Sequence, residues 1–293
     1  MPLDKFLQLL LSGISLGAIY ALVALGFVLV FKATSVLNFA HGSFLMLAAY
    51  LTSTLLGSLG LPFAVGLLVV ALSLAVLGVV LHYTVMQWMV GKAFFSVVLV
   101  TVGMEIVIRA VILVFWGPLE RGRVQGLPQG TFSVGGAVIP YVNLIILAAA
   151  GILVLAFLVF FNRSRMGLHM RAVADNLEAA TAMGIDRNVV YAGAWAIGLL
   201  LAGVGGVLYA HFSPSVNLGL GVIGLRAFPA AILGGIDSVP GAIVGGMIVA
   251  LVENIGAGYL GAQWRDVIAF GIMFLVLLWR PSGLFGTKEL IRV

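Results

Sequence analysis

Gly13-Ile14-Ser15-Leu16-Gly17 has the G-x-S-x-G spacing that presents a serine nucleophile in hydrolases. That chemistry needs a strand, a sharp turn and a helix to raise the hydroxyl into a site. Here the five residues lie inside an apolar run from Phe6 to Phe31. The same residues make a G-x-x-x-G, as do Gly241 and Gly245, and close helix packing accounts for both. His41, His82, His169 and His211 are scattered, with no H-E-x-x-H, so no metal set is expected. The chain has no cysteine, which excludes thiolate metal sites and a disulfide framework. No G-x-x-x-x-G-K-[ST] occurs, so the phosphate-cradling loop is absent and any ATP hydrolysis must come from another subunit. An intramembrane enzyme therefore lacks a constellation to work with, and no cofactor is expected in this chain.

What remains is polar chemistry set in hydrocarbon. Glu105 and Arg109 stand four apart on one predicted helix and can pair with each other, a structural account preferred to a transport role. Arg226 and Glu253 have no local partner; they reach the interface or face each other across a helix pair. Asn38-Phe39-Ala40-His41-Gly42 interrupts an otherwise apolar stretch, and two readings stand. One is a solvent-side loop in which Asn38 or Ser43 caps the helix that follows. The other is a break in a buried helix, whose freed backbone groups line a watered cavity. On that reading His41 is a polar wall residue rather than a proton donor.

The elements around these residues belong to a membrane. Hydrophobic residues make up 62% of the 293 positions and charged residues 9%, against roughly a quarter charged in soluble domains. Apolar runs near 6–31, 40–57, 62–81, 94–116, 138–161, 190–210, 221–236, 240–256 and 264–280 predict an all-α, polytopic helical membrane protein of eight to nine segments, the seventh of them short. The first run is read as a retained helix and not a signal peptide. With the 162–189 loop inside, Lys32, Lys92, Arg163, Arg165, Arg171, Arg187, Arg280, Lys288 and Arg292 fall on the cytoplasmic side. Lys5, Arg121, Arg123 and Arg265 fall outside, which predicts the N-terminus out and the C-terminus in. The net charge of +5 follows from this asymmetry and calls for no nucleic acid.

At an offset of 180, Gly26, Ser35 and Val36 fall on Gly206, Ser215 and Val216. After a one-residue gap, Asn38, Gly42 and Ala48 fall on Asn217, Gly221 and Ala227. The predicted helices leading into Asn38 and Asn217 run in opposite directions, as an inverted repeat with broken helices requires. A single transmembrane domain over 1–293 is expected, with half-repeats of about 6–116 and 190–280. Its external loop, 117–137, carries a small hairpin or lid around TFSV and AVI. Asp237-Ser238-Val239-Pro240-Gly241 reads as a turn. The substrate-path candidates are Asn38, His41, Gly42, Ser43, Asn217 and Gly221.

The loop 162–189 is rich in helix formers between Arg171 and Met183, with Gly184 as the expected C-cap. It predicts one short amphipathic helix over 171–184, with Val173, Leu177 and Ala180 on one face and Asp175 and Glu178 on the other. Glu178-Ala179-Ala180 followed by Gly184 resembles the EAA loop of ABC importer permeases. Together with YALVALGFVLVF at 20–31, NFAHG at 38–42 and AILGGIDSVPGAIVGG at 231–246, it makes the chain similar to the branched-chain amino acid permease family, over essentially its whole length and in the order of the shorter of two permease subunits.

The resemblance implies a heterodimer with a longer paralogous permease, two cytoplasmic ATPase subunits that carry ATP and Mg, and an extracytoplasmic substrate-binding protein. It implies residence in the bacterial cytoplasmic (inner) membrane, surrounded by lipid. On it, Arg171, Asp175, Glu178, Ala179, Ala180 and Gly184 become the ATPase-coupling residues of an importer for branched-chain or related small apolar amino acids, working by alternating access. Relatives that carry urea and short amides keep a second reading open, a facilitative channel or ABC permease for a small polar solute.

Overall fold

Long apolar runs with no water to serve their backbones satisfy every N–H and C=O internally by coiling. The computed structural model describes residues 3–134 and 137–287 and is almost wholly helical. Among the described residues, seven stretches are long and apolar enough to cross a membrane. They are α1 (Leu3–Thr34), α3 (Phe63–Thr84), α4 (Phe94–Trp116), α5 (Tyr141–Arg163), α8 (Arg187–Phe212), α10 (Val239–Leu260), and α11 (Arg265–Trp279) with the turn before it. The other two predicted segments are short. α2 (His41–Thr52) continues into a π-helical stretch, Ser53–Ser58, and α9 is Leu220–Gly234. Lys288 and Arg292, counted toward the inner basic charge, lie outside the described residues.

α1 is the axis of the bundle and is buried along most of its length, packed antiparallel to α8 and α10. Gly26 lies against the Gly198 carbonyl of α8, and Gly246 of α10 against the backbone of Ala21. Both G-x-x-x-G pairs serve the close packing expected of them, Gly17 meeting Met247 and Gly245 the Ala230 carbonyl. Ser15 donates to the Asn143 carbonyl of α5 and is a packing residue. α3, α4, α5 and α11 form the outer layer, with Leu72, Val114, Ile152 and Leu275 turned outward as a lipid-facing surface requires.

Two antiparallel ladders complete the chain. β2 (Thr131–Val134) and β3 (Ala137–Pro140) form the hairpin foreseen around TFSV and AVI, with Phe132 opposite Ile139. β1 (Arg121–Gly122) pairs with β4 (Ser215–Val216), which no local sequence signal announces.

The single helix expected over 171–184 is instead two, α6 (Arg165–Asp175) and α7 (Leu177–Ala182). Asn176 separates them in an extended conformation, and its side chain accepts from the Ala179 N–H as the N-cap of α7. An Asn that can bond a nearby backbone N–H competes with helix continuation, and that preference outweighs the helix-forming alanines around it.

Candidate functional site

α1 ends at Thr34, and Ser35 takes a left-handed conformation (φ 56°) that turns the chain back on itself. Residues 35–38 then lead into α2 without helical structure. The Asn38 side chain accepts from the Ala40 N–H at 3.1 Å, and the Asn38 carbonyl accepts from the His41 N–H at 3.1 Å. The His41 ring lies 3.0 Å through Nε2 from the Val23 carbonyl. Val23 precedes the end of α1 by eleven residues, about 16 Å along the axis and about half the ~30 Å of a hydrocarbon core. Asn38 and His41 are 1% and 2% exposed, so the solvent-side loop reading is overturned: α2 begins deep inside the bundle.

The second break repeats this turn. After α8 ends at Phe212, the Asn217 side chain accepts from the Gly219 N–H at 2.9 Å and its carbonyl from the Leu220 N–H at 3.1 Å. Ala40 and Gly219, the residues that open α2 and α9, share one conformation, at φ −74°, ψ −3° and φ −68°, ψ −15°. The two helix starts meet backbone to backbone. A Cβ on Gly42 would overlap the Gly221 carbonyl, and one on Gly224 would overlap Gly42 itself. Because α1 and α8 run antiparallel, the two turns approach this contact from opposite ends of the bundle.

The environments of the two turns differ. Asn217 is half-buried, and with Ser215 it donates to the Glu120 carboxylate beside the β1–β4 ladder. Those two hydrogen bonds hold the Glu120 carboxyl below the usual carboxylate range.

A cavity of about 290 Å³ opens beside the helix contact, lined by Phe39, Ser43, Val102, Glu105, Arg109 and Gly221 among others. Of the path candidates it gathers Ser43 and Gly221. Gly42 makes the helix contact, His41 turns to α1, where it also meets the Phe27 ring edge-on, and Asn217 remains at the ladder. His41 packs against α1 here. Ser43 caps nothing: its hydroxyl is buried and has no hydrogen-bond partner. Glu105 and Arg109 do pair, Nε and Nη2 donating to Oε1 at 3.1 and 3.0 Å, but they do so in the cavity wall. Two charges one turn apart on an apolar helix were the available signal; which way they face is tertiary.

The other intramembrane charges find partners across helices. Arg226 of α9 reaches Glu253 of α10 at 3.2 Å and Asp266 of α11 at 2.6 Å, and Tyr20 of α1 donates to Glu253 at 2.9 Å. Arg226 and Glu253 face each other across the helix pair; Arg226 fastens α9 to α10 and α11, and Tyr20 ties α1 to α10.

At the opposite end, a cavity of about 610 Å³ lies between the end of α1 and α6, with Lys32, Arg171, Asp175 and Asp237 in its wall. Arg171 donates to the Phe161 carbonyl at the end of α5, and Lys32 to the Asp237 carbonyl at 2.9 Å. Ala180 is buried with Val173, while Glu178 and Ala179 are exposed. Gly184 (φ 85°) closes α7, the Ile185 N–H bonding the Ala180 carbonyl at 3.1 Å in a Schellman-type end. Among the described residues no cluster of His, Asp or Glu has the makings of a metal site.

The family described as "Branched-chain amino acid transport system / permease component" matches residues 9–277. The chain belongs to this family. It is 32% identical to the high-affinity branched-chain amino acid transport system permease protein BraD of Pseudomonas aeruginosa, over 98% of both chains. It is equally similar, at 32% and 98% of both, to LivH of Escherichia coli K12, which carries the same description. A galactose/methyl galactoside import permease protein, MglC of Salmonella typhimurium, is 26% identical over 79% of this chain and 74% of its own length. No solved structure matches. The protein is a multi-pass permease of the inner membrane.

Proposed function

We propose that this permease is the shorter membrane subunit of an ATP-driven importer for branched-chain or related small apolar amino acids. The observation that carries the proposal is the meeting of two oppositely directed broken helices, backbone against backbone at Gly42, Gly221 and Gly224, beside a small cavity. Such a contact has little side-chain interlocking to resist a change of angle between α2 and α9. A second, longer permease covers the cavity side, an extracytoplasmic binding protein delivers the solute over the external hairpin and ladder, and two cytoplasmic ATPase subunits take up the exposed Glu178-Ala179 turn. ATP closes the ATPase pair, α6 and α7 move with it, and the motion passes through the Lys32–Asp237 and Arg171–Phe161 contacts to the ends of α1, α9 and α5. Substrate then reaches the cavity from one side at a time.

The test is reconstitution in proteoliposomes with the neighbouring ATPase, permease and binding-protein genes. ATP-dependent uptake of leucine, isoleucine or valine is expected. ATP-independent equilibration of urea or a short amide, with no ATPase subunits co-purifying, would replace the importer by a facilitative channel.

A further inference from the structure

We propose that Glu105 and Arg109 form, with Ser43, a recognition site for the charged ends of a free α-amino acid within the path. This rests on the importer reading above and adds to it the residues that meet the substrate. The pair spans one turn of α4 and lines the cavity at the helix contact, Arg109 lying close to Gly221. Their side chains are 29% and 40% exposed, on a helix whose surroundings would otherwise be lipid. Charges in a membrane protein face protein or water-filled space, because lipid leaves them unsolvated. In the isolated chain the pair is open on the cavity side.

Both members keep unused bonding capacity. Glu105 accepts through Oε1 only, leaving Oε2, and Arg109 donates through Nε and Nη2, leaving Nη1. Ser43, whose hydroxyl is buried and without a partner, is part of the same cavity's lining. A substrate ammonium fits Glu105 Oε2, and a carboxylate fits Arg109 Nη1 with Ser43 donating. The starts of α2 and α9 beside them add the positive ends of two helix dipoles on the carboxylate side. The site is neutral as it stands, so a zwitterion leaves it neutral, whereas a net ion would not. Phe39, Val102 and Leu225 supply an apolar wall for the side chain. A volume near 290 Å³ sits at the small end of the ~300–1,000 Å³ of ligand pockets, which suits a small solute.

The test uses the assembled complex in proteoliposomes, with Val222→Cys in the cavity wall as reporter, since this chain has no other cysteine to react. Modification by a small methanethiosulfonate reagent is read as a mass shift on this chain, without ATP or binding protein. Leucine should slow the reaction. Arg109→Gln should raise the half-protecting leucine concentration at least about tenfold and abolish protection by 4-methylpentanoate, which has only the carboxylate. Glu105→Gln should do the same for leucine and for 3-methylbutylamine, which has only the ammonium. Unaltered protection in both variants overturns the site, as does a complex that imports leucine yet shows no protection. Pair-dependent protection without ATP-driven uptake would instead sink the importer reading alone. Should the single variants fail to assemble, the swap Glu105→Arg with Arg109→Glu restores a neutral pair. Lost protection in an assembled swap supports the site. Unchanged protection, or a swap that also fails to assemble, assigns the pair to structure and overturns it.

Discussion

Gly42 and His41 are neighbours with opposite tolerances. Any side chain at Gly42 meets the backbone of α9, which cannot rotate aside as a side chain can. Overpacking of this kind costs about 1–3 kcal/mol when neighbours can adjust and more when they cannot. Gly42→Val should therefore remove nearly all assembled, active permease at equal expression. His41 makes one hydrogen bond, to Val23, worth about 1 kcal/mol. His41→Asn should lower uptake by less than about threefold and leave its profile flat from about pH 5.5 to 8. Uptake of both variants across that range checks the contrast. A tolerated Gly42→Val would show that α2 and α9 do not pack as described, and a steep pH profile abolished by His41→Asn would make His41 a proton carrier.

At the scale of elements, α7 is short, doubly capped and turned outward, which suits a piece that docks. Glu178→Arg reverses the charge on its exposed face. Gly184→Pro forces φ to about −65° where the chain needs a left-handed turn. Either change should abolish substrate-dependent ATP turnover while the chain stays in the membrane, measured as stimulated ATPase activity of the reconstituted complex. Full coupling in both variants would remove α7 from the ATPase contact. The external ladder gives a pH prediction. Because Glu120 titrates lower in the folded chain than unfolded, its tie to Ser215 and Asn217 is fully present above the unfolded value of about 4.3 and fades as pH falls through the folded one. Glu120→Ala should melt slightly below the parent at pH 7, with the gap narrowing as acid protonates the Glu120 carboxylate. A gap that does not narrow with acid would mean that the charge is not what holds the ladder.

For the whole molecule, the two breaks give opposed views of one conformation. Asn217 is half-exposed at the ladder and Asn38 is sealed inside the bundle. In the resting complex Asn217→Cys should react with aqueous thiol reagents and Asn38→Cys should not. If the breaks alternate in access, trapping ATP should change the rate at one or both sites at least about tenfold. Rates at both positions that ignore nucleotide would argue against rocking about the α2–α9 contact.

The sequence by itself determined the helical membrane class, the close-packing glycines, the pairing of Glu105 with Arg109, the hairpin near Phe132 and the Gly184 cap. Each of these depends on apolar length or on residues within a few positions of one another. It also held the register that puts Asn38 with Asn217 and Gly42 with Gly221, since the same turn needs the same short side chain at the same offset. What only the tertiary structure decided is where those turns lie. The same Asx turn is buried at Asn38 and meets a surface carboxylate at Asn217 because the neighbouring segments differ, and no local pattern records a neighbour. For the same reason His41 turned to α1 and Arg226 found Glu253. Glu105 and Arg109 stand in a cavity wall because burial and facing are settled by packing between segments far apart in the chain.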